Sequence, residues 1–304
     1  MGGLHHPPRS TGYNGVTIIL PMASVAYNQP DPAYRREIGE NQSSLKSILI
    51  SPAHYEAAKR RRFPATVNME IGSAVHCKAL EGDEEFEKRY VMKPDNLSLA
   101  SKEGKEWKAE QVGKTVLSNS DRDRPWDSVI GMTETLRKLS WFNPDQPDYR
   151  KFNELSIYWD VLGIPCKARL DRLVDVGDYL LVLDLKTTDS VDPSSFEKKV
   201  SGGMNYIFQA AWYAEAASVA YNKPAKFVFI GIERAEPWSA AIFEVSDEMM
   251  AEGTSQINEA RRILRECMDT KTWPKPEVPY NVMSLPPWYR SPVKVAMPGF
   301  EELF

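Results

Sequence analysis

The run Tyr-Leu-Leu-Val-Leu-Asp-Leu-Lys-Thr-Thr at 179–188 constrains the fold more than any other stretch of the chain. Its leading apolar residues follow one another as in a strand buried on both faces, which belongs inside a sheet covered by helices. Asp184 and Lys186 break the run near its end, and period-two alternation puts both side chains on one side of the strand. Acid and lysine therefore meet where the sheet opens to solvent, a corner where a metal site can be built. Asp171 lies in a second strand-like stretch, Lys-Ala-Arg-Leu-Asp-Arg-Leu-Val-Asp at 167–175. Between the two, Val176-Gly177-Asp178 has the chemistry of a hairpin turn. Pairing 171–175 against 179–184 would bring two carboxylates and one ammonium to the same corner.

The 304 residues allow one large domain or two smaller ones, and 42% apolar with 26% charged residues is a soluble globular composition. No window approaches the roughly 18 uninterrupted apolar residues of a membrane span. The opening Met-Gly-Gly-Leu-His-His-Pro-Pro has neither the basic nor the apolar region of a signal peptide, so a cytoplasmic protein is expected. Cys77, Cys166 and Cys267 form no C-x-x-C unit, which argues against a zinc or iron-sulfur centre and against a disulfide framework. With 38 basic and 42 acidic residues the net charge is −4, so any nucleic-acid surface must be local.

Residues 1–42, rich in Pro, Gly, Asn and Gln, read as an extended N-terminal arm, 43–273 as the folded domain and 274–304 as a Pro-rich tail. Ser43-Ser44 is the expected cap of the first helix, and Ser51-Pro52 restarts a helix that ends in Lys59, Arg60, Arg61 and Arg62. That basic run suits a solvated helix end as well as a DNA backbone. Asn68 is the expected cap of a helix over 69–80, which places Gly72 and His76 on one face. Helical patterns recur at 102–112, 121–140, 193–200, 204–221 and, after Ser246, to about 268. Strand patterns occupy 153–187, 226–234 and 240–245. The fold class expected is α/β (α+β): a mixed central sheet flanked by the His76 helix on one side and the Gln209/Tyr213 helix on the other.

Two carboxylates are what Mg2+ usually takes from a protein, and imidazole from His76 would also suit Mn2+. A lysine beside them can orient or deprotonate an attacking water, or neutralise charge developing on a phosphate. The set suits metal-assisted phosphodiester hydrolysis. Taken singly, D-x-K also describes an ordinary ion pair, one helical histidine a packed side chain, and Gln209 with Tyr213 a packing edge.

In order, Gly72-x-x-x-His76, Asp171, Asp184-x-Lys186 and Gln209-x-x-x-Tyr213 resemble the four motifs of the RecB-type branch of the PD-(D/E)XK nucleases, which have a restriction-endonuclease-like fold. Ser-Leu-Lys-Ser-Ile-Leu-Ile-Ser-Pro-Ala-His-Tyr at 44–55 and Gly-Ser-Ala-Val-His-Cys-Lys-Ala-Leu-Glu at 72–81 resemble more closely the phage and prophage exodeoxyribonuclease VIII group. The resemblance implies that His76, Asp171, Asp184 and the Leu185 carbonyl hold two Mg2+ ions, for which Mn2+ can substitute. Lys186 would be the catalytic lysine, with Asp171 and Asp184 as its catalytic partners, and Gln209 and Tyr213 would support the site or contact DNA. Ala168 stands where this branch often has Gly. The implied activity is 5′-to-3′ exonuclease action on double-stranded DNA ends, leaving 3′ tails for a recombinase or annealing protein. A ring-shaped homo-oligomer would enclose the DNA, with Lys59, Arg60, Arg61, Arg62, Arg169 and Arg172 as candidate channel residues. The alternatives are a RecB-type nuclease of other polarity or an endonuclease, Cas4-like, and a DNA-end-binding recombination protein without turnover. Cas4-like proteins carry a four-cysteine iron-sulfur site that three scattered cysteines cannot furnish.

Overall fold

The strand read from 179–188 lies inside a six-stranded sheet, with helices on both faces. The computed structural model describes residues 23–60, 66–119, 124–145, 152–202 and 204–276. The chain starts with β1 (Ser24–Ala26), α1 (Asp31–Arg36) and α2 (Gln42–Leu45), then a 3-10 turn and α3 (Pro52–Arg60). Next, α4 (Val67–His76) runs into a π turn (Cys77–Glu81) and α5 (Asp83–Arg89). Two short strands, β2 (Tyr90–Met92) and β3 (Thr115–Leu117), pair in parallel around α6 (Lys102–Glu110). After α7 (Pro125–Arg137) come β4 (Asn153–Val161), β5 (Ile164–Asp175) and β6 (Leu180–Thr188). The crossover α8 (Pro193–Ser201) and α9 (Tyr206–Tyr221) leads to β7 (Ala225–Glu233), β8 (Ala240–Glu244) and α10 (Asp247–Thr270).

The strand order is β1-β4-β5-β6-β7-β8, antiparallel except for the parallel pair β6 and β7. That exception follows from the helical crossover, since parallel neighbours cannot be joined by a tight hairpin. Leu180 and Val182 join Phe227 and Phe229 in the core beneath α9 and α10. Leu181, Leu183 and Leu185 join Val228, Ile230 and Ile232 in the core beneath α4 and α7. Burial on both faces is what the uninterrupted apolar run of β6 requires. Helix α9 is Ala-rich and buried nearly all round, which lets it lie close over the sheet and bring its polar residues to the strand ends.

Several expected boundaries move. The helix expected after Ser43-Ser44 is α2, capped by Asn41, whose Oδ1 accepts the Ser44 amide at 3.0 Å. Thr66, not Asn68, caps α4, accepting the Met69 amide at 3.3 Å. Both are equally good capping chemistries placed slightly earlier. The segment read as an arm carries β1, paired with Ser156–Tyr158, and α1; residues 1–22 lie outside the described residues. What fastens α1 is a distant side chain: Lys167 Nζ donates to the Tyr34 and Glu37 carbonyls at 3.1 and 2.6 Å, satisfying the end of the helix. At the domain's end Trp273 stacks on Tyr55 at 5.4 Å; of the tail, the Pro274 carbonyl accepts the Ala53 amide, while 277–304 lie outside the described residues. Among the described residues no helix is long and apolar enough to cross a membrane.

Candidate active site

The hairpin between β5 and β6 pairs Arg172 with Leu183 at the last rung of its ladder, which brings Asp171 beside the end of β6 that carries Asp184 and Leu185. Asp171 Oδ2 accepts the Leu185 amide at 2.8 Å, which fixes the carboxylate across the strand ends. His76, at the last turn of α4, reaches the same place from the other layer. Its Nε2 lies 2.9 Å from the Leu185 carbonyl, and a carbonyl can only accept, so Nε2 carries the proton and donates. Nδ1 then lies 3.5 Å from Asp171 Oδ2. Gly72 lets α4 come this close, because a Cβ there would sit 3.3 Å from Thr187 Oγ1.

Glu154 completes the cluster. It lies on β4 between the pairs Asn153–Arg172 and Leu155–Leu170, abreast of Asp171, with a left-handed φ of 49°. One donor atom from each of His76, Glu154 and Asp171 lies within 4.8 Å of the others. Sequence reasoning missed Glu154, although the Leu162-Gly163 turn between β4 and β5 implies the register that sets 154 against 171.

Asp184 is buried on the α9 side, outside this cluster. Gln209 Nε2 donates to its Oδ1 at 2.6 Å, and Lys186 Nζ lies 2.6 Å from Oδ2. Apart from that ion pair, Oδ2 is buried without a hydrogen-bond partner. Tyr213, one helical turn beyond Gln209, hydrogen-bonds it, and burial together with the charges of Asp184 and Asp171 holds its phenol well above the usual range. The Lys186 ammonium rests over the Tyr206 ring at 4.8 Å and the Phe229 ring at 5.9 Å. Burial lowers its pKa, but Asp184 and Asp171 outweigh that and hold it above the usual lysine value. Lys186 is therefore a fixed cation and a hydrogen-bond donor. Asp171 is pushed up to about 7, first by burial, with His76 opposing and Asp184 and Glu154 reinforcing the rise.

His76, Glu154, Asp171, Leu185, Lys186 and Tyr213 all border one cavity of about 1170 Å³. Arg169 borders it too, donating from Nε to Glu154 Oε2 at 2.6 Å and from Nη1 to the Gln29 carbonyl at 2.7 Å. Arg172 corrects the expectation of a channel residue: it is buried and donates to Asn153 Oδ1 at 2.6 Å, while Asn153 donates to the Leu80 carbonyl. Lys59 sits on Glu40 at 2.7 Å, Arg60 on Glu56, and neither borders the cavity. Arg61 and Arg62 lie outside the described residues. Cations not foreseen do border it: Arg35 from α1, Arg89 from α5, Lys167 from β5, and Arg234 just past the end of β7. The same opening carries Asp31, Glu81, Glu154 and Asp171, so its cations stand among acids, Arg35 on Asp31, Arg89 on Glu81 and Arg169 on Glu154.

One imidazole and two carboxylates form a donor set that fits Mg2+ or Mn2+, whereas Asp184, expected as a ligand, is buried against Lys186 and Gln209 outside that set. Because Asp171 must lose its proton to serve as a ligand, Mn2+ affinity is expected to rise about tenfold per pH unit up to about pH 7 and then level off. Calorimetric titration across that range reads this directly, and a flat profile would remove Asp171 from the ligand set.

A family profile described as "PDDEXK-like domain of unknown function (DUF3799)" matches residues 41–278. A crystal structure from Eubacterium rectale, described as "Putative exonuclease", aligns with a TM-score of 0.54 at 13% identity, over 86% of this chain and 96% of that one. At that identity the likeness is one of fold. The structure of SSO0001 overlaps 73% of this chain and 85% of its own at 14% identity, with a TM-score of 0.27. No curated protein sequence matches the chain.

Proposed function

The chain belongs to the PDDEXK-like family that matches residues 41–278, and from that premise we propose that it is a Mg2+-dependent deoxyribonuclease acting from the ends of linear duplex DNA. The observation that carries the reading is the meeting of His76, Glu154 and Asp171 in one cavity with a lysine held protonated on Asp184. The finer proposal is 5′-to-3′ exonuclease action of the exodeoxyribonuclease VIII kind, making 3′ tails for an annealing protein or recombinase in phage-type recombination. Its support is the motif resemblance, with the fold likeness to a protein described as an exonuclease. A ring-shaped homo-oligomer belongs to the same proposal, and a solution mass reads it.

A divalent ion held by His76, Glu154 and Asp171 would supply activation of a water and charge for the leaving oxygen. Lys186 donates toward the phosphate or the incoming water, its direction set by Asp184 below and the Tyr206 ring beside it. Gln209 holds Asp184 from the other side, so acid and lysine are braced before any substrate arrives. The Arg169 guanidinium, fixed on Glu154, faces the cavity as a partner for a backbone phosphate.

Linear duplex labelled at its 5′ or 3′ end, and closed circular duplex, should be incubated with Mg2+ or with EDTA. The expected result is release of the 5′ label first, intact circles, and no reaction in EDTA. Cut circles would replace the exonuclease by an endonuclease. Early release of the 3′ label would reverse the polarity.

A further inference from the structure

A second cavity, of about 1030 Å³, opens beside the catalytic one. The two share Glu81, Arg89, Glu154 and Arg169, so whatever enters one lies against the other. The shared wall is charged but internally compensated: Arg169 is bound to Glu154 at 2.6 Å, and Arg89 to Glu81 at 2.5 Å and Glu85 at 3.2 Å. No uncompensated carboxylate of this wall would therefore repel a polyanion.

Aromatic rings line the side away from the metal ligands. Tyr27 packs on Phe152 with centroids 6.2 Å apart, Phe152 meets Tyr221 edge-on at 6.4 Å, and the two tyrosine hydroxyls are 3.0 Å apart. Phe152 and Tyr221 lean on the main core, but Tyr27 is 41% exposed. Asn28 and Gln29 border the same space and offer amide groups. A cavity that continues from the catalytic one into an aromatic platform suits single-stranded nucleic acid, because inside a duplex both faces of a base are covered by its stacked neighbours.

We infer that the second cavity binds unpaired bases of the DNA strand engaged at the catalytic cavity, with the Tyr27 ring as stacking platform. The inference rests on the nuclease reading, and its test separates the two. The full chain in EDTA is titrated into a single-stranded oligonucleotide carrying 2-aminopurine, whose emission falls on stacking, with anisotropy recorded in parallel. Binding with quenching is expected. Tyr27→Ala should weaken binding about tenfold and abolish the quench, whereas Tyr27→Phe, which keeps the ring, should restore both. Mn2+ affinity should be the same in all three proteins, because Tyr27 is not among the metal-ligand cluster. A strand-held base should resist competition by a deoxynucleoside monophosphate. Displacement by that mononucleotide would overturn the strand assignment in favour of a free-nucleotide site. Unaltered affinity and quench in Tyr27→Ala, in a protein that still cuts DNA, would overturn the second site and leave the nuclease standing. A ring-dependent quench in a protein that cuts no DNA would do the reverse.

Discussion

Lys186→Met is expected to lower the single-turnover rate of DNA hydrolysis about a hundred- to a thousandfold, the scale set by losing one preorganised charge at a developing oxyanion. The ammonium is braced by Asp184 and by two aromatic rings, so the loss is of a positioned donor rather than of a mobile surface charge. DNA affinity should change little, since Arg169, Arg234 and Arg35 still border the cavity. Stability should fall as well, because the Asp184 side chain, 2% exposed, would keep Gln209 but lose its cation. Breaking a buried pair in this way costs about 3–5 kcal/mol. The double variant Lys186→Met/Asp184→Asn separates the two effects: thermal stability should recover, and the rate should not. A single variant within tenfold of the wild-type rate would remove Lys186 from the mechanism.

How much of this site was legible in the sequence depends on the range of each contact. Asp184 with Lys186, and Gln209 with Tyr213, are set by the period of one strand and of one helix, so spacing alone places each pair. Asp171 needed one further step, the hairpin turn at Val176-Gly177-Asp178, and that turn is visible as turn chemistry. Glu154 needed two hairpins in succession, and nothing local distinguishes it from an ordinary strand glutamate. Arg172 misled for a related reason: a charged residue beside Asp171 reads as facing the site, and only the buried Asn153 amide shows that it turns inward. The docking of α1 was illegible because Lys167, far along the chain, supplies the hydrogen bonds that an amphipathic pattern would otherwise have had to announce.

Asp171→Asn is expected to abolish hydrolysis and, in metal-free protein, to raise the melting temperature. The folded state holds the Asp171 carboxyl up to about 7 from the usual 3.8, because it is buried beside Asp184 and Glu154. Between those two values the unfolded chain has released its proton and the folded chain has not, so the folded state binds more protons and stability falls as pH rises. The loss is at most about 4 kcal/mol once the window is crossed. Asparagine keeps an oxygen for the Leu185 amide and carries no charge, so at about pH 8 in EDTA the variant should melt several degrees above the wild type. Its melting temperature should also lack the wild-type decline between about pH 4 and 7. A lower melting temperature than wild type under those conditions would show that the Asp171 charge is not a burden to the fold. With Mn2+ added the order should invert, since a ligand bound only by the folded wild type stabilises it in proportion to the logarithm of metal concentration. The carboxylate that costs the apo fold most is, on this account, the one whose charge the metal repays.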